Sequence, residues 1–205
     1  ANVFLKINEN LNSLNIFISC SFTNTAGIIL FSITNYYYNI KMKLVVTNKT
    51  IAVNDSNFQC AIGKNGVSRN KVEGDLCTPV GIFKFNKIYY RKDKLGEIDF
   101  KLPFEAINKK SGWCDDKNSH LYNQYIEFPF KESAEQLHRT DDLYDIVCVI
   151  NYNTDPIVAG KGSAIFLHVC RYGFPGTEGC IAMEKSQLLD IAKNISMSST
   201  IEIKN

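Results

Sequence analysis

From Met42 onward the chain is a succession of short β-type runs, each closed off by Gly, Pro or Asn, and this punctuation narrows the fold more than any other feature. The runs cover residues 44–46, 58–62, 81–85, 88–90, 125–128, 146–150, 164–169 and 200–203. Spacing of this kind fits a sandwich or barrel. Two stretches read at helical period instead, 133–139 and 184–195; the second places Leu188, Leu189, Ile191, Ala192 and Ile195 on one apolar face that can pack on a sheet. Gly160-Lys161-Gly162 and Tyr172-Gly173-Phe174-Pro175-Gly176 mark loops. The expected class is mainly β, a sandwich with one or two flanking α-helices.

The 205 residues fit one core with a short appended segment better than two full domains. With 45% hydrophobic and 21% charged residues the chain can bury a sizeable core. Its 23 basic and 21 acidic residues are interspersed, with no basic run of the kind that draws in nucleic acid, so nucleic acid is not an expected partner. Residues 1–41 differ in character: an Asn-rich opening, broken apolar patches (Ile16 to Ile18, Ala26 to Ile33) and the cluster Tyr36-Tyr37-Tyr38. No charge-free apolar run there reaches the roughly 18 residues of a membrane helix. Only Lys6 precedes the first apolar patch, and polar residues interrupt it, a poor match to a secretory signal. The reading is an N-terminal leader or extension over 1–41 and a domain over 42–205 that begins at Met42.

Seven cysteines, at positions 20, 60, 77, 114, 148, 170 and 180, form no Cys-x-x-Cys pair, and their odd number leaves at least one thiol free in a monomer. Most have apolar neighbours, where a thiol packs as a small hydrophobe. Cys180 stands apart. In residues 163–182 an apolar run delivers His168, a Pro/Gly loop follows, and a second tight turn presents Cys180 behind Gly179. A free thiol of pKa about 8.5 is only a few per cent thiolate at neutral pH, so an imidazole folded back against it can take its proton and make it an easily alkylated nucleophile. Gly179 removes bulk beside the thiol and frees backbone N–H groups nearby for an oxyanion. On chemistry alone, a hydrogen-bonded core histidine beside an ordinary Gly-Cys turn fits the same residues.

Thr177-Glu178-Gly179-Cys180-Ile181, after Leu167-His168, resembles the Ser/Thr-His-Gly-Cys signature of the L,D-transpeptidase (YkuD-type) catalytic domain. Glu73-Gly74-Asp75-Leu76-Cys77-Thr78-Pro79-Val80-Gly81-Ile82-Phe83 is similar to that family's Thr-Pro-x-Gly-x-Phe turn and strand. Gly112-Trp113-Cys114-Asp115-Asp116, Asp142-Leu143-Tyr144-Asp145 and Gly160-Lys161-Gly162-Ser163-Ala164-Ile165 look like a compact bacterial branch of it. The matches follow the family's order over roughly residues 43 to 195.

The resemblance implies a β-sandwich, two-step acyl transfer on peptidoglycan stem peptides, no metal or organic cofactor, no required protein partner, and a periplasmic or wall-associated setting. It assigns Cys180 as nucleophile, His168 as base and Gly179 as part of the catalytic turn, with Thr177 and Glu178 beside them at substrate-binding positions. Glu178 departs from the family pattern, which has histidine there, and so does Ala182, where many members carry Asn or Arg. Arg171 is the candidate for a substrate carboxylate, because its fork suits bidentate binding. Trp113 is the candidate wall of the stem-peptide groove, with a plain core aromatic as the alternative. His120, in a polar loop, and His138, ending the first helical stretch, receive no catalytic role. Three rival readings stay open: zinc bound by His168, Cys170 and Cys180, with Glu178 able to complete the site; a non-catalytic wall-binding module; and a thiol amidase for another peptide.

Overall fold

Short runs of β-branched and aromatic residues need a partner on each edge, and in this chain they find it by pairing round into a ring. The structure, a computed structural model, describes residues 4–10, 13–19 and 42–205, and the chain divides into residues 1–40 and 41–205. In the first part, Phe4–Asn10 and Ser13–Ser19 pair antiparallel, from Phe4 opposite Ser19 to Asn10 opposite Ser13. The apolar residues Ile16 to Ile18 lie in the second of these strands. Cys20, the Ala26 to Ile33 patch and the tyrosine cluster lie outside the described residues.

In the second part, eight strands follow one another round a closed ring: Ile146–Ile150, Phe166–Val169, Ile181–Met183, Ser56–Ala61, Thr50–Val53, Lys43–Thr47, Thr200–Ile203 and Gly81–Tyr90, which returns to Ile146–Ile150. The ten-residue strand Gly81–Tyr90 makes the closure. Its first half pairs with Thr200–Ile203 and its second half with Ile146–Ile150. The sequence reading had split it into two runs. Phe104–Ala106 adds a parallel strand beside residues 88–90.

Side chains alternate across the wall of the ring, as a period of two requires. Ile146, Cys148, Ile150, Leu167 and Val169 belong to the inner core, while Val147, Val149 and Phe166 belong to a second cluster outside it. The helix Lys185–Asn194 adds Leu188, Ile191 and Ala192 to the inner core. It opens on the Glu184 carboxylate, which accepts the N–H groups of Ser186 and Gln187 at 2.9 and 3.1 Å. The other helix, Lys92–Leu95, is a single turn.

The outer cluster is covered by a second layer, a three-stranded sheet in which Ser111–Cys114 lies between Tyr125–Glu127 and Ala134–Gln136. Trp113 faces the ring from this cover, edge-on to Phe166 at 5.1 Å. One sequence expectation fails here: residues 133–139 are not helical. Ala134, Glu135 and Gln136 pair with Cys114, Trp113 and Gly112, and Leu137, fully buried, gives its N–H to Ser111 O. Helix preferences of a few tenths of a kcal/mol per residue yield to that pairing. His138 therefore sits at no helix terminus. The ring, its cover and the two helices make a mainly β fold of two layers.

Candidate active site

Phe166–Val169 and Ile181–Met183 are parallel neighbours, with Leu167 opposite Ile181 and His168 opposite Ala182. Residues in register share a face, and Cys180 falls two positions before Ala182, so His168 and Cys180 emerge on the same, outer side of the wall. Strand spacing and rise put their Cα atoms on a diagonal of about 8 Å, within reach of a thiol and an imidazole. Both line a pocket of about 300 Å³, together with Ala182, Tyr144, Glu135 and Arg139.

The turn that presents Cys180 is tied down from several directions. Gly179 has φ +145°, and a Cβ there would stand 3.1 Å from Cys77 O and 3.2 Å from Ile165 Cδ1, so any side chain is both strained and crowded. Thr177 Oγ1 donates to Cys180 O at 2.6 Å and accepts the Gly179 N–H at 3.2 Å. The Gly179 N–H is thereby engaged within the turn; of the nearby backbone N–H groups expected to serve an oxyanion, that of Cys180 takes no acceptor among the described residues. From behind, the fully buried Thr78 accepts the Gly63 N–H at 2.8 Å and donates to Cys180 O at 3.4 Å. The Thr-Pro motif thus acts on the Cys180 turn, a role its sequence position did not reveal.

Cys180 Sγ donates to Ala164 O at 3.0 Å and accepts the Phe166 N–H at 3.4 Å. His168 Nδ1 lies 2.8 Å from Val169 O. A carbonyl only accepts, so Nδ1 carries the proton and Nε2 keeps its lone pair. The Tyr144 ring stands edge-on to the imidazole at 5.4 Å. Burial holds His168 down to about pKa 4, with Arg171 and Arg139 adding repulsion. Burial also pushes the Cys180 thiol up, and the Glu135 charge pushes in the same direction. The pair therefore rests as neutral thiol and neutral imidazole, with no hydrogen bond between them among the described residues. A thiol already ionised by the imidazole, the arrangement the sequence suggested, is not what burial favours at rest.

The remaining sequence candidates fall in different places. Arg171, at the pocket wall, is largely exposed and meets only Asp141, at 3.9 Å. Glu178 stands exposed at the rim, 3.2 Å from Lys64 Nζ. Thr177 lines the pocket with its hydroxyl spent on the turn. Trp113 is buried between the layers, its Nε1 donating to Asn123 Oδ1 at 3.0 Å, and it is not part of the pocket lining; the core alternative describes it. No three His, Cys, Asp or Glu side chains among the described residues are grouped to hold a metal ion, the set His168, Cys170 and Cys180 included.

Sequence reasoning missed Glu135, Tyr144 and Arg139. Glu135 and Arg139 were hidden by the helical reading of 133–139, which has no register to place them opposite the ring. Tyr144 lay inside a quoted motif, where its position just before the apolar 146–150 run was the available signal. Tyr144 OH donates to Glu135 Oε2 at 2.7 Å, and Arg139 clamps Asp141 through Nε and Nη2 at 2.7 and 2.8 Å.

The sequence matches the L,D-transpeptidase catalytic domain (YkuD) over residues 28–203, most of its length, and the chain belongs to that family. Among solved structures, Mycobacterium tuberculosis L,D-transpeptidase 1 is similar at 10% identity with a TM-score of 0.36. The alignment covers 80% of this chain and 59% of that one, so the chain spans less than two thirds of that structure's length. A search of curated proteins finds no match. No helix among the described residues is long and apolar enough to cross a membrane.

Proposed function

We propose that the chain is a cysteine-dependent L,D-transpeptidase acting on peptidoglycan stem peptides at the cell wall, in the periplasm or attached to the wall, with 42–205 as its catalytic domain. The observation that supports this most is the placing of Cys180 and His168 on one face of adjacent parallel strands, open to a single pocket, in a chain of this family.

As the stem peptide docks, Arg171 takes the terminal carboxylate of the D-residue. Cys180 attacks the carbonyl of the preceding L-centre as Nε2 of His168 accepts the thiol proton. The Cys180 N–H faces the oxyanion. His168 returns the proton to the departing amine, and the D-residue leaves a thioester. An amine of a second stem then displaces Cys180, or water does, giving carboxypeptidase activity. Gly179 and Thr177 hold the turn through this sequence, and Glu178 with Lys64 borders the entrance.

The test is intact mass of the protein with a disaccharide tetrapeptide, products followed in parallel, beside a Cys180→Ala variant. Wild-type protein is expected to release the D-residue and form cross-linked dimer, and the variant to do neither. A second reading, a stem-peptide-binding module without chemistry, draws on the missing thiol–imidazole hydrogen bond. Folded wild-type protein that binds the tetrapeptide and leaves it intact would establish that instead.

A further inference from the structure

Glu135 reaches the pocket from the cover, not from the ring. It stands opposite Trp113 in the register of Ala134–Gln136 with Ser111–Cys114, and Trp113 faces the ring through Phe166. Glu135 shares that direction and lines the pocket that holds Cys180 and His168. One carboxylate oxygen is taken by Tyr144 OH at 2.7 Å. The other has no donor among the described residues and is not sealed off from the pocket. No cation bonds to it directly: Arg139 is clamped on Asp141 and acts on Glu135 through its charge alone, Lys64 is paired with Glu178, and Arg171 is turned towards Asp141. A half-buried carboxylate with no cation in direct contact is costly until something positive meets it. For thioester formation it is a hindrance as well, since its charge opposes ionisation of the neighbouring thiol.

The hindrance becomes useful in the second half-reaction. We propose that Glu135 is the acceptor subsite: its free oxygen binds the primary ammonium of the incoming stem peptide beside the Cys180 thioester, so that amine is favoured over water. The inference rests on the transpeptidase reading. The ammonium gives one proton to Glu135, and the neutral nitrogen attacks the thioester carbonyl. The second proton passes to His168 and from it to the departing Cys180 sulfur as the carbon–sulfur bond breaks. The products are amide, neutral thiol and protonated Glu135, which releases its proton to water. Burial raises the Glu135 carboxyl above the ordinary range, against the pull of the Tyr144 hydrogen bond, which suits a group that must accept this proton.

Full-length protein and its Glu135→Gln variant are incubated with the disaccharide tetrapeptide, and D-residue release, tripeptide and dimer are measured separately, with hydroxylamine as a nucleophile that is uncharged at neutral pH. The variant is expected to release the D-residue no more slowly than wild type and to form hydroxamate, while its dimer-to-tripeptide ratio falls by about tenfold or more. Tyr144→Phe, which keeps the carboxylate and loosens it, should shift the ratio less. An unchanged ratio with D-residue release intact overturns the acceptor subsite alone. So does a variant that needs more tetrapeptide for D-residue release, which would assign Glu135 to the donor. Wild-type protein that releases no D-residue removes the transpeptidase reading and the subsite with it.

Discussion

The base proposed at His168 has to be unprotonated at neutral pH, and burial keeps the imidazole in that form. Its folded pKa of about 4 lies below the unfolded value of about 6.5. Between these values the unfolded chain binds a proton that the folded chain refuses, so stability is fully present above pH 6.5 and declines as pH falls towards 4, by about 3 kcal/mol across the window. Urea titrations at pH 7 and pH 4.5 should therefore show wild-type protein losing more stability than a His168→Gln variant over that interval; parallel losses would mean that His168 stays unburied. That Cys180 and His168 meet was legible in the sequence because thiol, imidazole and glycine turn fall within one short segment. Their ionisation was not, since it depends on burial supplied by Tyr144 and by the cover, far away in the chain.

At the level of elements, the Cys180 turn hangs on a hydroxyl 102 positions away in sequence. Thr78 serves Gly63 and Cys180 together, and replacing it with Val leaves the buried Gly63 N–H without an acceptor. Thr78→Val should lower unfolding stability by about 1–3 kcal/mol, with Thr78→Ser close to wild type; equal midpoints for all three proteins would show that the hydroxyl does not hold the turn. The strands of the ring could be read from sequence because apolar alternation and turn residues are local signals. Ala134–Gln136 could not, because Ala-Glu-Gln-Leu favours a helix in isolation and becomes a strand only against Ser111–Cys114. That single misreading concealed Glu135, since a strand's register decides what its side chains face.

Over the whole molecule, the ring closes using only residues from Lys43 to Ile203, while the family match begins at residue 28. Protein comprising 42–205 is expected to be soluble and to retain the D-residue release of the full chain. An insoluble product would place residues 28–41 within the folding unit. Closure also bears on the chemistry. Cys180 and His168 belong to one continuous wall, whereas Glu135 belongs to a separate layer, so the proposed acceptor subsite can be altered by substitutions in the cover that leave the wall intact. The thiol itself is held neutral, its S–H donating to Ala164 O and its sulfur partly covered. It is the thiolate that attacks peroxides and disulfides. The burial that keeps the Cys180 thiol un-ionised therefore also slows its oxidation.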